Sequence, residues 1–384
     1  MPVASQPLEV GSFFSVADLL DVARESRGAS VSEAISARFT HVRWTGSGRV
    51  AVRMAAEELA AGRVRKLLFP AYLCASILQG VKAIRAGMGL EIGFYPVRDE
   101  LGIDPGDLPT MADGRTAVYV IDYFGRPADD VAVALLDAGY PVVLDVSHSL
   151  CSARLRGLDD RVTLVVGSLR KLFPLPDGGF VAGRSAPRAA VSGEPPVAPV
   201  LSAMILKAAH AGGLAVPKRL FNELYQSFET SLDRGTEVTG PSPLSEAMLD
   251  VLGVDAGLER RRQNYDVLEF GLRGLNRVRP LFLRGLAGDL VPLGFPVLCE
   301  DRDGLRRWLV SCGIYPPVHW PVPDGVRGKV SRTARAIARR ELTIPCDWRY
   351  TPEVMERVVE AVRAWDRPEP ERSTRRCPDG PEGQ

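Results

Sequence analysis

The 384 residues exceed the roughly 250 to 300 at which one hydrophobic core stops growing, so two domains are expected. A hydrophobic share of 46% excludes disorder over most of the length, and Lys+Arg 48 against Asp+Glu 47 gives no overall pull toward nucleic acid or a membrane. No apolar run approaches the roughly 18 residues of a membrane span, and the opening residues lack a secretory signal, so a cytoplasmic protein is expected.

Residues 1–44 read as an N-terminal helical segment, with Ser15 as a cap before an amphipathic stretch. Residues 45–240 read as a large domain in which short apolar runs alternate with helical stretches. The runs begin at Lys66, Leu90, Thr116, Pro141, Val162 and Gly179, and 129–139 reads as a helix between two of them. Strands buried on both faces and joined by helices imply a mostly parallel sheet. Residues 186–200 read as a surface connection, 201–230 as helical, and 235–243 as a second break. A smaller α/β domain is expected over 241–366, opening with a long helix over 245–275, and 367–384 reads as a flexible tail. The six cysteines form no CxxC pair, and none of His41, His148, His210 and His319 stands four residues from another. They fit neither a disulfide framework nor a metal site, and no metal is expected.

Three stretches could carry chemistry. Gly46-Ser47-Gly48-Arg49 opens a helix, either as a plain surface cap or as a cup of free N–H groups for a phosphate, with the Arg49 guanidinium beside it. Asp145 ends the run from Pro141, at the sheet edge where open α/β folds place ligands; it either caps a helix or faces a ligand. Lys171, in Ser168-Leu-Arg-Lys-Leu-Phe-Pro-Leu-Pro-Asp-Gly-Gly, follows a buried run and is hemmed in by prolines and glycines. It is either a snorkelling surface lysine or a buried one, and burial disfavours an ammonium and favours the nucleophilic amine. A phosphate cup, an acid about 100 residues on and a lysine about 25 beyond is the order expected of a pyridoxal 5'-phosphate enzyme.

With Phe69-Pro-Ala-Tyr, Asp122-Tyr-Phe-Gly-Arg-Pro, Leu144-Asp-Val-Ser-His, Arg260-Arg-Arg-Gln-Asn-Tyr and Gly313-Ile-Tyr-Pro-Pro-Val-His, these stretches resemble the DegT/DnrJ/StrS family of pyridoxal-phosphate aminotransferases. The resemblance spans about 45–364. It implies a fold-type I transferase: a large domain with a mostly parallel seven-stranded sheet flanked by helices, a smaller C-terminal α/β domain, and a homodimer. It makes Lys171 the Schiff-base lysine, Asp145 the partner of the pyridinium nitrogen, and His148 a neighbour of the phenolic oxygen. Ser47, Gly48, Arg49 and Ser168 would hold the phosphate.

Arg49 stands where the family often has threonine. Cys74 falls where an aromatic residue commonly stacks on the ring, so either Tyr72 substitutes or the face is covered differently. The asparagine loop that crosses the family's dimer is not recognisable in 235–240. Tyr123 and His319 are candidates for the substrate side, each with a core or capping role as the alternative. The implied reaction moves an amino group from an amino-acid donor to a keto acceptor, such as a nucleotide-linked keto sugar. The alternatives are elimination or dehydration on the same cofactor, amination of a non-sugar ketone, or a non-catalytic relative.

Overall fold

A computed structural model describes residues 9–85, 87–108, 112–185, 187–235, 237–323, 326 and 330–367. All but the first residue of the tail expected over 367–384 lies outside the described residues, as do the first eight residues of the chain. In chain order, β1 (Val10–Gly11), α1 (Val16–Glu25) and α2 (Val31–Arg38) precede β2 (His41–Thr45) and α3 (Gly48–Ala61). Then come β3 (Lys66–Pro70), α4 (Ala75–Arg85), β4 (Glu91–Tyr95), β5 (Thr116–Ile121), α5 (Asp129–Asp137), β6 (Val142–Asp145), α6 (Ser152–Arg156), β7 (Leu164–Ser168) and β8 (Gly179–Gly183). An α-hairpin, α7 (Ala198–Ala211) and α8 (Lys218–Arg234), leads to α9 (Pro243–Leu249) and α10 (Leu258–Gly271). The chain closes with β9 (Val278–Pro280), β10 (Phe295–Cys299), α11 (Arg302–Ser311), β11 (Ile314–Tyr315), α12 (Arg332–Arg340), β12 (Glu341–Ile344) and α13 (Pro352–Asp366).

The large sheet has seven strands in the order β2-β8-β7-β6-β5-β3-β4. Strands β7, β6, β5, β3 and β4 run parallel, while β8 is antiparallel to both neighbours. The parallel strands are apolar on both faces because helices cover both; Val118, Val120 and Leu144 pack on one side and Ala117, Tyr119 and Val143 on the other. A second sheet, β12-β10-β9, is antiparallel and builds its own core with α10, α11 and α13.

Two sequence boundaries shift. The large sheet begins at His41, inside the segment expected to be helical, because β2 is an edge strand with only one buried residue. The helix expected over 245–275 is two helices, broken where Gly257 takes a left-handed φ of 71° at the entry to α10. Leu249, Leu252 and Val254 pack against the large sheet, whereas Tyr265 and Leu268 of α10 pack in the core of the second sheet.

Candidate active site

Asp145 and Ser168 terminate β6 and β7, and their carboxyl ends meet the N-terminus of α3. Ser47 caps α3, its hydroxyl accepting the Val50 N–H at 3.3 Å. The first-turn N–H groups of Gly48 and Arg49 have no acceptor within the helix. A Cβ on Gly48 would lie 2.8 Å from the Ser168 Cβ, so only glycine lets the helix start press against the end of β7. The result is a cavity of about 250 Å³ whose walls include Ser47, Gly48, Arg49, Asp145, His148, Ser168 and Lys171.

Asp145 is 6% exposed. Its carboxylate accepts from the Tyr119 hydroxyl at 2.7 Å and the Ser147 N–H at 2.9 Å. Burial first, and then the Asp145 charge, push the Tyr119 hydroxyl above its ordinary range and keep it a donor. No lysine, arginine or histidine among the described residues lies within ion-pair distance of Asp145. A buried carboxylate without a cation is costly, and this one faces a cavity that a cation could enter.

Lys171 stands in a one-turn 3-10 helix directly after β7, its Nζ 2.9 Å from His148 Nε2 and 5.5 Å from the Trp320 ring centre. His148 Nδ1 accepts the Phe124 N–H at 3.2 Å, which places the ring proton on Nε2. Burial, then Lys171 and His319, hold this imidazole well below its usual range, so it stays neutral. Nζ therefore lies within hydrogen-bond reach of a neutral imidazole on the cavity wall.

Opposite the α3 terminus, α8 supplies Tyr225 and Glu229. Glu229 pairs with Arg170 at 2.6 Å and Arg49 at 3.2 Å, and Arg49 also reaches Asp233 at 2.9 Å. Burial opposes the Glu229 charge, but the two guanidinium groups outweigh it and hold the carboxyl below its usual range. Arg49 Nε is buried and has no acceptor. An orphaned N–H beside two free helix N–H groups and two serine hydroxyls is the donor set a phosphate takes. The residues therefore fit pyridoxal phosphate: Ser47, Gly48, Arg49 and Ser168 at its phosphate, Asp145 at its ring nitrogen and Lys171 at its aldehyde. Replacing Arg49 with alanine is expected to raise the Kd for pyridoxal 5'-phosphate about tenfold, the worth of roughly 1.5 kcal/mol of charge-assisted hydrogen bonding. Affinity for phosphate-free pyridoxal, measured by the same titration, should not change.

Tyr72 and Tyr123 do not line the 250 Å³ cavity. Tyr72 is buried behind the cavity, its hydroxyl donating to the His319 carbonyl, and Tyr123 donates to the Tyr72 carbonyl and lines a different pocket. Their hydroxyls are spent on main chain, and the aromatic wall beside Lys171 is Trp320 instead. The sequence does not single out Trp320, Arg170, Tyr225 or Glu229, although Trp320 adjoins a quoted motif and Arg170 lies inside one. His319 lines a second cavity of about 620 Å³, shared with Lys171, Phe13, Lys218, Phe221 and Arg306. Lys171, Arg170 and Tyr225 border both cavities.

Neither a family model nor a curated protein matches the chain. Solved structures do. DesV of S. venezuelae, in complex with a ketimine intermediate, is 19% identical with a TM-score of 0.60, covering 94% of this chain and 100% of that one. The sugar aminotransferase CalS13 from Micromonospora echinospora is 18% identical with a TM-score of 0.59, covering 93% and 99%. A DegT DnrJ EryC1 StrS aminotransferase from Brucella abortus is 14% identical with a TM-score of 0.57, covering 91% and 95%. At this level of identity the likeness is one of fold, and the chain has the fold-type I architecture of these aminotransferases along nearly its whole length.

Proposed function

We propose that the protein is an aminotransferase of the DegT/DnrJ/StrS family that moves an amino group from an amino-acid donor to a keto sugar, with pyridoxal phosphate as its cofactor. The observation that carries this reading is the pairing, on one cavity, of a buried carboxylate that has no cation among the described residues with a lysine beside a neutral imidazole. Pyridoxal phosphate, when bound, supplies an aldehyde that captures amines and a ring that withdraws electrons from a breaking bond.

The chain's own groups divide the remaining work. The N-terminus of α3, Arg49 and the serine hydroxyls hold the phosphate and so fix the ring's position. Asp145, oriented by hydrogen bonds from Tyr119 and the Ser147 N–H, holds a proton on the ring nitrogen. Lys171 Nζ, on the border of both cavities, carries a proton away from and back to substrate carbon. The 620 Å³ cavity has room for a nucleotide-linked sugar, with Phe13 and Phe221 as apolar wall and Lys218 and Arg306 as cations. Likeness to proteins described as sugar aminotransferases supports the sugar.

The test is a half-reaction. Adding L-glutamate or L-glutamine to holoprotein without an acceptor is expected to bleach the visible absorbance and release about one equivalent of 2-oxo acid per subunit. A nucleotide-linked keto sugar should then restore the absorbance. A cofactor-loaded protein that no amino acid bleaches would refute the reading.

A further inference from the structure

Strand β12 reads Glu-Leu-Thr-Ile, and alternation splits it into two faces. Leu342 and Ile344 are buried in the small-domain core. Glu341 and Thr343 take the other face and are themselves 0% and 2% exposed. The loop carrying His319 lies along this face. Thr343 N–H donates to the Pro317 carbonyl at 3.0 Å, and His319 N–H donates to Glu341 Oε2 at 2.6 Å. The three side chains form a line, with Glu341 Oε1 to Thr343 Oγ1 at 2.5 Å and Thr343 Oγ1 to His319 Nδ1 at 2.7 Å. His319 Nε2 has no hydrogen-bond partner among the described residues, and its ring borders the 620 Å³ cavity with Lys171.

A hydroxyl has one proton to give, so this line has two states. With Glu341 ionised, Thr343 donates to it, His319 donates from Nδ1, and Nε2 is bare. With Glu341 protonated, every hydrogen bond reverses and Nε2 carries a proton. We infer that Glu341, Thr343 and His319 form a proton relay whose outlet, His319 Nε2, serves the oxygen of the keto acceptor bound beside Lys171. The inference rests on the aminotransferase reading. As the acceptor's carbon–oxygen bond breaks, an incoming nitrogen lone pair supplies the electrons of the new carbon–nitrogen bond. One proton of the incoming amine passes to the oxygen, which leaves as water on taking the Nε2 proton, while the amine's other proton stays on the nitrogen of the new carbon–nitrogen double bond. Nδ1 takes the Thr343 proton, Thr343 takes the Glu341 proton, and Glu341 is left as carboxylate; the reverse reaction resets the line.

The electrostatics suit such a device. Burial, then Lys171, hold His319 down at about 3, so the ring works as a neutral carrier. Burial pushes Glu341 up to about 8 against the opposing pull of its hydrogen bonds and Arg302, which puts the relay's switching point there. Tyr72, the other titratable group facing Glu341, is held well above its ordinary range by burial and then by Glu341, and stays neutral. His148, facing His319 from the large domain, is neutral as well. The Nε2–H form is therefore populated below pH about 8 and lost above it.

The closing experiment follows the His319 ring by ¹⁵N NMR in the full-length protein, assigned by His319→Gln. In the unmutated chain the ring should pass from the Nε2–H to the Nδ1–H tautomer with a midpoint near pH 8 and no imidazolium stage. Thr343→Val should abolish the switch and lower kcat about 100-fold with KM within about twofold, while Thr343→Ser restores both. A ring that keeps one tautomer from pH 6.5 to 9.5 in an active enzyme overturns the relay alone, and so does unchanged turnover in a folded Thr343→Val. A ring that switches in a protein transferring no amino group overturns the aminotransferase reading and the acceptor assigned to the relay.

Discussion

Replacing Lys171 with alanine is expected to lower turnover by more than about 10⁴-fold, since it removes both the covalent anchor and a proton carrier worth about 10² to 10⁴ by itself. Among the described residues lining the 250 Å³ cavity, Lys171 is the sole primary amine, so no neighbour can take its place. The variant should lose the visible absorbance of the holoprotein and the mass increment that borohydride otherwise fixes on the peptide carrying residue 171. It should fold normally, because Lys171 is half-buried and makes no ion pair among the described residues. Lys171→Arg separates charge from chemistry, since a guanidinium keeps the cation near Trp320 but cannot condense with an aldehyde. Recovery of absorbance or turnover in that variant would show that the lysine acts only as a charge.

Much of this site was legible because its residues sit in short, chemically dense stretches at the ends of strongly apolar strands. The runs ending at Asp145 and Ser168 are buried on both faces, and such strands announce themselves by continuous β-branched and aliphatic residues. Strand β2, His41-Val-Arg-Trp-Thr, escaped notice because an edge strand alternates polar and apolar residues as a short amphipathic helix also can. The α7–α8 hairpin read as one helical stretch, although Gly212 and Pro217 mark its turn. Tyr225 and Glu229 could not be found from sequence: at a spacing of four residues they look like any exposed face of an amphipathic helix. Only tertiary packing brings them against Arg49 and Arg170, some 180 and 59 residues away in the chain. Sequence left Tyr72 open for a related reason, since the carbonyl that captures its hydroxyl belongs to His319, 247 residues later. The polar pair in Glu-Leu-Thr-Ile did carry a signal, two hydrogen-bonding side chains at strand spacing before a proline, but its meaning depends on a histidine supplied by another loop.

For Asp145→Asn, a kcat about 1,000-fold lower is expected, with Lys171 still able to capture the cofactor. An ion pair at about 4 Å in a site of effective dielectric near 20 is worth about 4 kcal/mol, and that stabilisation of the ring nitrogen's proton is what asparagine forfeits. The substitution is nearly isosteric, and asparagine can still accept from Tyr119 or Ser147. Packing is therefore not at issue. Stability should move in the opposite direction from activity. Without cofactor, Asp145 is a buried charge with no cation among the described residues, and removing that charge relieves a cost the fold otherwise bears. The cofactor-free variant is accordingly expected to melt at or above the temperature of the unmutated protein, while the gain in Tm on adding pyridoxal phosphate shrinks because the ring nitrogen has lost its counter-ion. Thermal melts of both proteins, with and without cofactor, read the two effects separately. If the cofactor-free Asp145→Asn variant melts far below the unmutated chain and its kcat is preserved, Asp145 is a structural cap, and the ring nitrogen must find its partner elsewhere.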